Sequence, residues 1–125
     1  MNNVAVMNGI ILRNRKAIGD EAEEVAARHL AAHGLRVVAR NFRVKGGELD
    51  LVCTDGKTTV FVEVRRRAGA DFGGAAYSIT PTKQRRLILA ARHWLAQQGE
   101  GACRFDCVLI DGGKLEWIKD AFRLD

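Results

Sequence analysis

From about Ala17 to His33 the apolar positions recur at steps of three and four: Ile18, Ala22, Val25, Ala26, His29 and Leu30 fall on one side of a helical wheel. That spacing predicts a helix, and Gly34 stops it. The rhythm then shortens to two. "LRVVARNF", Leu35 to Phe42, reads as a strand, and "GGELDLVC" and "TTVFVEV" read as the arms of a hairpin turning at Asp55-Gly56. A glycine-rich connector, "RAGADFGGAA", follows. Thr80 and Pro81 open a second helix, because Thr caps well and Pro suits the first helical position. Leu87, Ala91, Trp94 and Leu95 form its apolar stripe and Gly99 ends it. "CRFDCVLI" is a further strand, "DGG" a turn, and "KLEWI" a short last strand.

The order α, β, β, β, α, β, β predicts an α/β domain, a mixed β-sheet flanked by two helices. A chain of 125 residues with 47% apolar residues suits one domain that buries its own core. Residues 1–14 read as a flexible lead-in and residues 15–125 as the single folded domain.

One strand breaks its own pattern. In "VFVEVRRR", Glu63 sits inside a run that should be buried, where glutamate is found only if it is paired or holds a metal. With Asp55 and Gly56 as the turn, Thr54 faces Lys57, Asp50 faces Phe61 and Glu48 faces Glu63. Asp50 and Glu63 then share a face as diagonal neighbours, roughly 7–8 Å apart. A hard cation such as Mg²⁺ would relieve their repulsion. On the first helix, Asp20, Glu21 and Glu24 point away from the apolar stripe, whereas Glu23 lies at its edge and leans toward the sheet. The alternative for the hairpin is a solvated face on which Glu48 and Glu63 stand beside Lys and Arg.

A net charge of +5 and a pI near 9.5 favour an anionic partner such as nucleic acid. Arg65 and Arg67 alternate onto the face of Glu63 while Arg66 points the other way. Lys83, Arg85 and Arg86 crowd the opening of the second helix, where cations oppose the macrodipole and a bound phosphate would satisfy both. The glycine-rich connector reads either as an ordinary flexible link or as a loop that admits a strand, with Phe72 able to stack on a base. Three cysteines without a CxxC pair predict reduced thiols in a cytoplasmic protein, and nothing approaches the roughly 20 apolar residues of a membrane span. His29 and His33 have helical zinc spacing. Cys103 and Cys107, four apart on a strand, lie about 13 Å from each other and so share no ion. Asp106 reads as structural, bonded to Arg104 or to backbone.

Taken together, Gly19-x-x-x-Glu23-x-x-Ala26, "RNF", "GGELDLV", "VFVEVRRR", Lys83 and "RFD" resemble the YraN-type family of bacterial predicted endonucleases. That family belongs to the PD-(D/E)xK, restriction-endonuclease-like superfamily, which includes Holliday-junction resolvases. The likeness runs from about Ala17 to Phe122. It implies a restriction-endonuclease-like fold and metal-dependent hydrolysis of phosphodiester bonds in nucleic acid, with structured or branched DNA as the substrate. It also implies Asp50 and Glu63 as ligands of Mg²⁺ or Mn²⁺, Glu23 as the helix-borne acid, and Arg67 and Lys83 as shared basic positions. Self-association stays open, since resolvases work in pairs. The superfamily motif places a lysine two residues after the second acid, and here that residue is Arg65. Arginine can orient water or stabilise charge but does not give up its proton in a protein. Lys83 or Lys45 could fill that role; otherwise the chain is a nucleic-acid-binding module that kept the acids and lost turnover.

Overall fold

The computed structural model describes residues 15–66 and 79–123, with side chains from residue 21 onward. Helix α1 spans Arg15–Ala32, followed by strands β1 (Arg36–Val44), β2 (Gly47–Asp55) and β3 (Thr58–Arg66). Helix α2 spans Pro81–Gln98, and strands β4 (Cys103–Asp111) and β5 (Lys114–Phe122) complete the chain order. The five strands form one sheet in the order β1-β2-β3-β4-β5. All neighbours are antiparallel except β3 and β4, which run parallel and are joined through α2. This is the mixed α/β sheet with two helices that the periodicity predicts. The lead-in, Arg67 and the glycine-rich connector with Phe72 lie outside the described residues.

Each helix covers one face. Ala22, Ala26, Ala27 and Leu30 of α1 pack against Leu51, Cys53, Val60, Val62 and Val108. Leu87, Ala90, Ala91 and Leu95 of α2 pack against Val52, Phe61, Phe105 and Leu109 on the other side. Alternation along β3 explains the division: Val60 and Val62 point to α1, Phe61 to α2. With both faces covered, β3 carries the near-continuous apolar run typical of a central strand. Thr80 caps α2 by accepting the Lys83 N–H at 3.1 Å, as its sequence position predicts.

The hairpin turn differs from expectation by one residue. Asp55 pairs with Thr58, so Gly56 and Lys57 make the turn rather than Asp55 and Gly56. Gly56 has φ +63° at the first central position, the conformation a type II′ turn demands and glycine adopts without strain. Asp55 can therefore stay in the strand. The pairing continues to Leu51 opposite Val62, and the next step in that register sets Asp50 directly against Glu63, not diagonal to it.

Strand β2 also swivels at Asp50. Leu51 belongs to the cluster under α1, but Leu49, two residues earlier, belongs to the cluster under α2. The flanking register puts Asn41 of β1 opposite Asp50, and Asn41 has φ +52°, a left-handed conformation that Asn tolerates better than most residues. Beyond the swivel, β2 presses on α2. A Cβ on Gly47 would lie 2.3 Å from the Arg86 carbonyl oxygen, so only glycine fits there.

Asp106, the other acid inside a core strand, is a structural hub. Its carboxylate accepts from Arg104 Nε at 2.9 Å, Arg104 Nη2 at 3.1 Å, Trp117 Nε1 at 2.9 Å and the Asp120 backbone N–H at 2.9 Å. Arg104 and a backbone N–H are the alternatives the sequence offers, and Asp106 takes both; the bond from Trp117 ties β5 to β4 as well. His29 is a partly buried stripe residue whose ring meets Trp117 edge-on at 5.9 Å.

Candidate functional site

Where β2 and β3 stop pairing, two carboxyls meet. Past Leu51 and Val62 the Val64 N–H is taken by Asp50 Oδ2 at 2.8 Å, so the Asp50 side chain stands in for a strand partner. Glu63, two residues along from Phe61 on the α2 face, is buried at 8% exposure. Its carboxyl donates a hydrogen bond to Asp50 and remains protonated into the neutral range: burial first, then the charge of Asp50, raises it from an ordinary 4.5 to about 7. Burial raises Asp50 too, against the pull of the Val64 N–H. Glu48 adds negative charge nearby and pushes Asp50 in the same direction.

The compensating cation comes from α2. Lys83, in the first turn of that helix, places Nζ 3.5 Å from Glu63 Oε2 and lowers both carboxyls by its charge. The reason is topological: α2 covers the face onto which Glu63 points, and capping by Thr80 fixes the turn carrying Lys83. Cys107 of β4 is the register partner of Glu63, and burial together with that carboxylate pushes its thiol up to about 12. It is an inert wall of the site.

The remaining candidates divide. Arg65 and Arg66 close β3 opposite Leu109 and Ile110; Arg65 is half-buried and Arg66 exposed. Arg85 and Arg86 are exposed on α2, with Arg85 donating to Thr82 Oγ1 at 3.1 Å. Glu23 is half-buried on α1, the helix that covers the opposite face of the sheet. Among the described residues no three of His, Cys, Asp and Glu gather closely enough to hold a metal ion together. The structure thus brings Asp50, Glu63 and Lys83 together and leaves the helix-borne acid on the α1 side. Gly47 was not singled out by sequence reasoning, although the doubled glycine before Glu48 is the signal that could have found it.

A buried acid pair beside a lysine, at a break in a mixed α/β sheet, defines the class: a small single-sheet protein with a built anionic site. The family is shown by sequence comparison. The profile of "Uncharacterised protein family UPF0102" matches residues 22–110, and the chain belongs to that family, which is the YraN family. It is 63% identical over 109 residues to a UPF0102 protein of Dechloromonas aromatica, covering 87% of this chain and 91% of that one. It is 55% identical over 115 residues to one of Ralstonia pickettii, covering 87% and 92%. A UPF0102 protein of Methylobacillus flagellatus is 52% identical over 110 residues, covering 86% and 97%. Among the described residues no helix is long and apolar enough to cross a membrane.

Proposed function

We propose that this chain is a metal-dependent phosphodiesterase acting on nucleic acid, DNA above all, with Asp50 and Glu63 as the ligands of a divalent cation. One observation carries the reading: two carboxyls meet at the end of a strand pairing, one accepting the Val64 N–H at 2.8 Å and the other buried 3.5 Å from the Lys83 ammonium. Burying two carboxyls side by side costs stability, and such costs concentrate at working sites. The donor set fits Mg²⁺ or Mn²⁺, since it offers only hard oxygen. Magnesium commonly takes one or two carboxylates and completes its shell with water and substrate phosphate, so a third acid is not required. When bound, the ion would supply Lewis-acid polarisation of a phosphate oxygen.

The protein's own groups would do the rest. Asp50 is held in place by the Val64 N–H, which leaves its other oxygen to face the cation. Glu63 would give up its shared proton on loading. Lys83 would neutralise part of the charge on a phosphate drawn to the pair, and Arg65 would orient it. A second reading, a nucleic-acid-binding module without turnover, is favoured by Arg65 in the place of a lysine.

The experiment is direct. Purified protein is incubated with labelled branched, single-stranded and duplex DNA, and with RNA, in Mg²⁺ or Mn²⁺. Cleavage that disappears in Asp50→Ala is the expected result. Binding without cleavage on every substrate selects the second reading, and cleavage that survives Asp50→Ala refutes the first.

A further inference from the structure

A groove of about 340 Å³ lies between α1 and the edge strand β1, on the α1 side of the sheet. Its floor is apolar, formed by Ala27, Leu35 and Val37. Its rim carries Arg28, Arg36 and Arg40 against a single acid, Glu24. Glu24 accepts from Arg28 Nε at 3.0 Å and from Arg40 Nη1 at 2.7 Å, which holds the two guanidinium groups at the rim. Each has five N–H donors and spends one on Glu24, so both keep donors for an incoming anion. Arg36 makes no ion pair among the described residues.

We infer that this groove is a second contact for a single nucleic-acid strand, taking one base on its floor and the flanking phosphates on Arg28, Arg36 and Arg40. The chemistry matches on both counts: guanidinium forks grip phosphate oxygens bidentately, and a base buries its faces on an apolar surface. The volume sits at the low end of the about 300–1,000 Å³ typical of small-ligand sites, room for one nucleotide and none for a duplex. Continuity supplies the rest of the argument. Arg36, Arg40 and Arg43 run along β1 over roughly 23 Å, at about 3.3 Å per residue. Asn41, in the middle of that row, lies one strand away from Asp50. The edge strand thus carries three arginines from the groove past the position beside Asp50, the last of them 3.5 Å from Glu48 Oε1. This inference rests on the nucleic-acid reading above and extends it to the opposite face of the sheet.

The test compares wild type with the double variant Arg28→Gln/Arg36→Gln, which leaves Glu24 paired with Arg40. Binding of a fluorescein-labelled oligothymidylate is measured by anisotropy over a range of salt, beside a labelled duplex and a polyglutamate peptide. Affinity for the oligothymidylate should fall about tenfold at low salt, and the slope of log K against log salt should flatten by about 1.4, two lost contacts on a single strand. If the oligothymidylate is cleaved, its KM should rise by a similar factor with kcat unchanged. A single Arg36→Glu variant, at an exposed residue, should show the same direction. Wild-type affinity and slope in both variants would overturn the groove, as would arginine dependence confined to the duplex or the peptide. Wild type that binds the oligothymidylate through these arginines yet never cleaves would remove the phosphodiesterase reading and leave the groove standing.

Discussion

Replacing Glu63 by Gln separates the electrostatic cost of the site from its use. Its carboxyl is held at about 7 against an ordinary 4.5, so ionising it in the folded protein costs about 3 kcal/mol more than in the unfolded chain. The sign follows from the direction. A carboxyl raised on folding contributes stability that is complete below about pH 4.5 and lost as pH climbs through about 7. Metal-free wild type should therefore weaken across that window relative to Glu63→Gln. The variant, with no charge to bury, should be more stable by about 2–3 kcal/mol at about pH 8 and close to wild type at about pH 4.5. Part of the full value is withheld because Asp50 titrates with the same proton.

The assay is chemical denaturation in EDTA at both pH values, followed by the same measurement with Mg²⁺. Taking the difference between the two proteins cancels the titrating groups that do not interact with Glu63, leaving the contribution of Glu63 together with its neighbours Asp50 and Lys83. A difference that does not change with pH refutes the assignment of a raised carboxyl at this position. Magnesium then tests the proposed use: at a hundredfold excess over Kd, one specific ion adds about 2.7 kcal/mol to wild type. Glu63→Gln should gain far less. Equal gains in both proteins would show that the ion does not sit on Glu63.

Two further substitutions examine the frame around the site. Gly47→Ala drives a methyl group to within 2.3 Å of the Arg86 carbonyl oxygen, a backbone atom of a packed helix that cannot swing aside, and should destabilise by about 2 kcal/mol or more in thermal or urea melts. A loss below about 0.5 kcal/mol would mean that β2 and α2 do not approach so closely. Asp106→Asn puts an amide where four N–H donors converge. It should cost about 3 kcal/mol, because one amide oxygen serves only two of the four donors and the NH₂ group faces the other two; a loss below about 0.5 kcal/mol would contradict the hub.

Most of the element order was legible because three- and two-residue periodicities separate cleanly at Gly34, Thr80 and Gly99. The turn was misplaced by one residue, since Asp-Gly reads as the central pair when the strained conformation falls on Gly56 alone. That error shifts the facing pairs by two, and a shift of two keeps every side chain on its own face. Asp50 and Glu63 were therefore assigned to a common face despite the wrong register, and the true register brings them nearer. Glu23 shows the limit of the same method. A wheel reports which side of α1 is apolar, but not which face of a sheet that side covers, and α1 packs on Val60 and Val62 while Glu63 points to α2. The groove was equally invisible, for it depends on how α1 lies beside β1 rather than on either pattern alone.

Three irregular features of this sheet meet at one residue, apart from the bulges at Val37/Ala39 and Phe105/Cys107. At Asp50 the β2–β3 pairing ends, the opposite strand adopts a left-handed asparagine, and β2 changes the face to which its leucines point. Each departure weakens a sheet that is covered on both sides. Their joint effect is to free the Asp50 carboxyl from the pleat, so that it can reach the Val64 N–H and meet Glu63 beside Lys83 and Cys107. A hydrophobic pair at these two positions would close the same gap with more stability, as replacements of buried charge elsewhere do. Two acids there make sense as an arrangement in which local stability is given up to hold a charge that arrives from outside, which is why the stability of Glu63→Gln and its response to Mg²⁺ are two readings of one design.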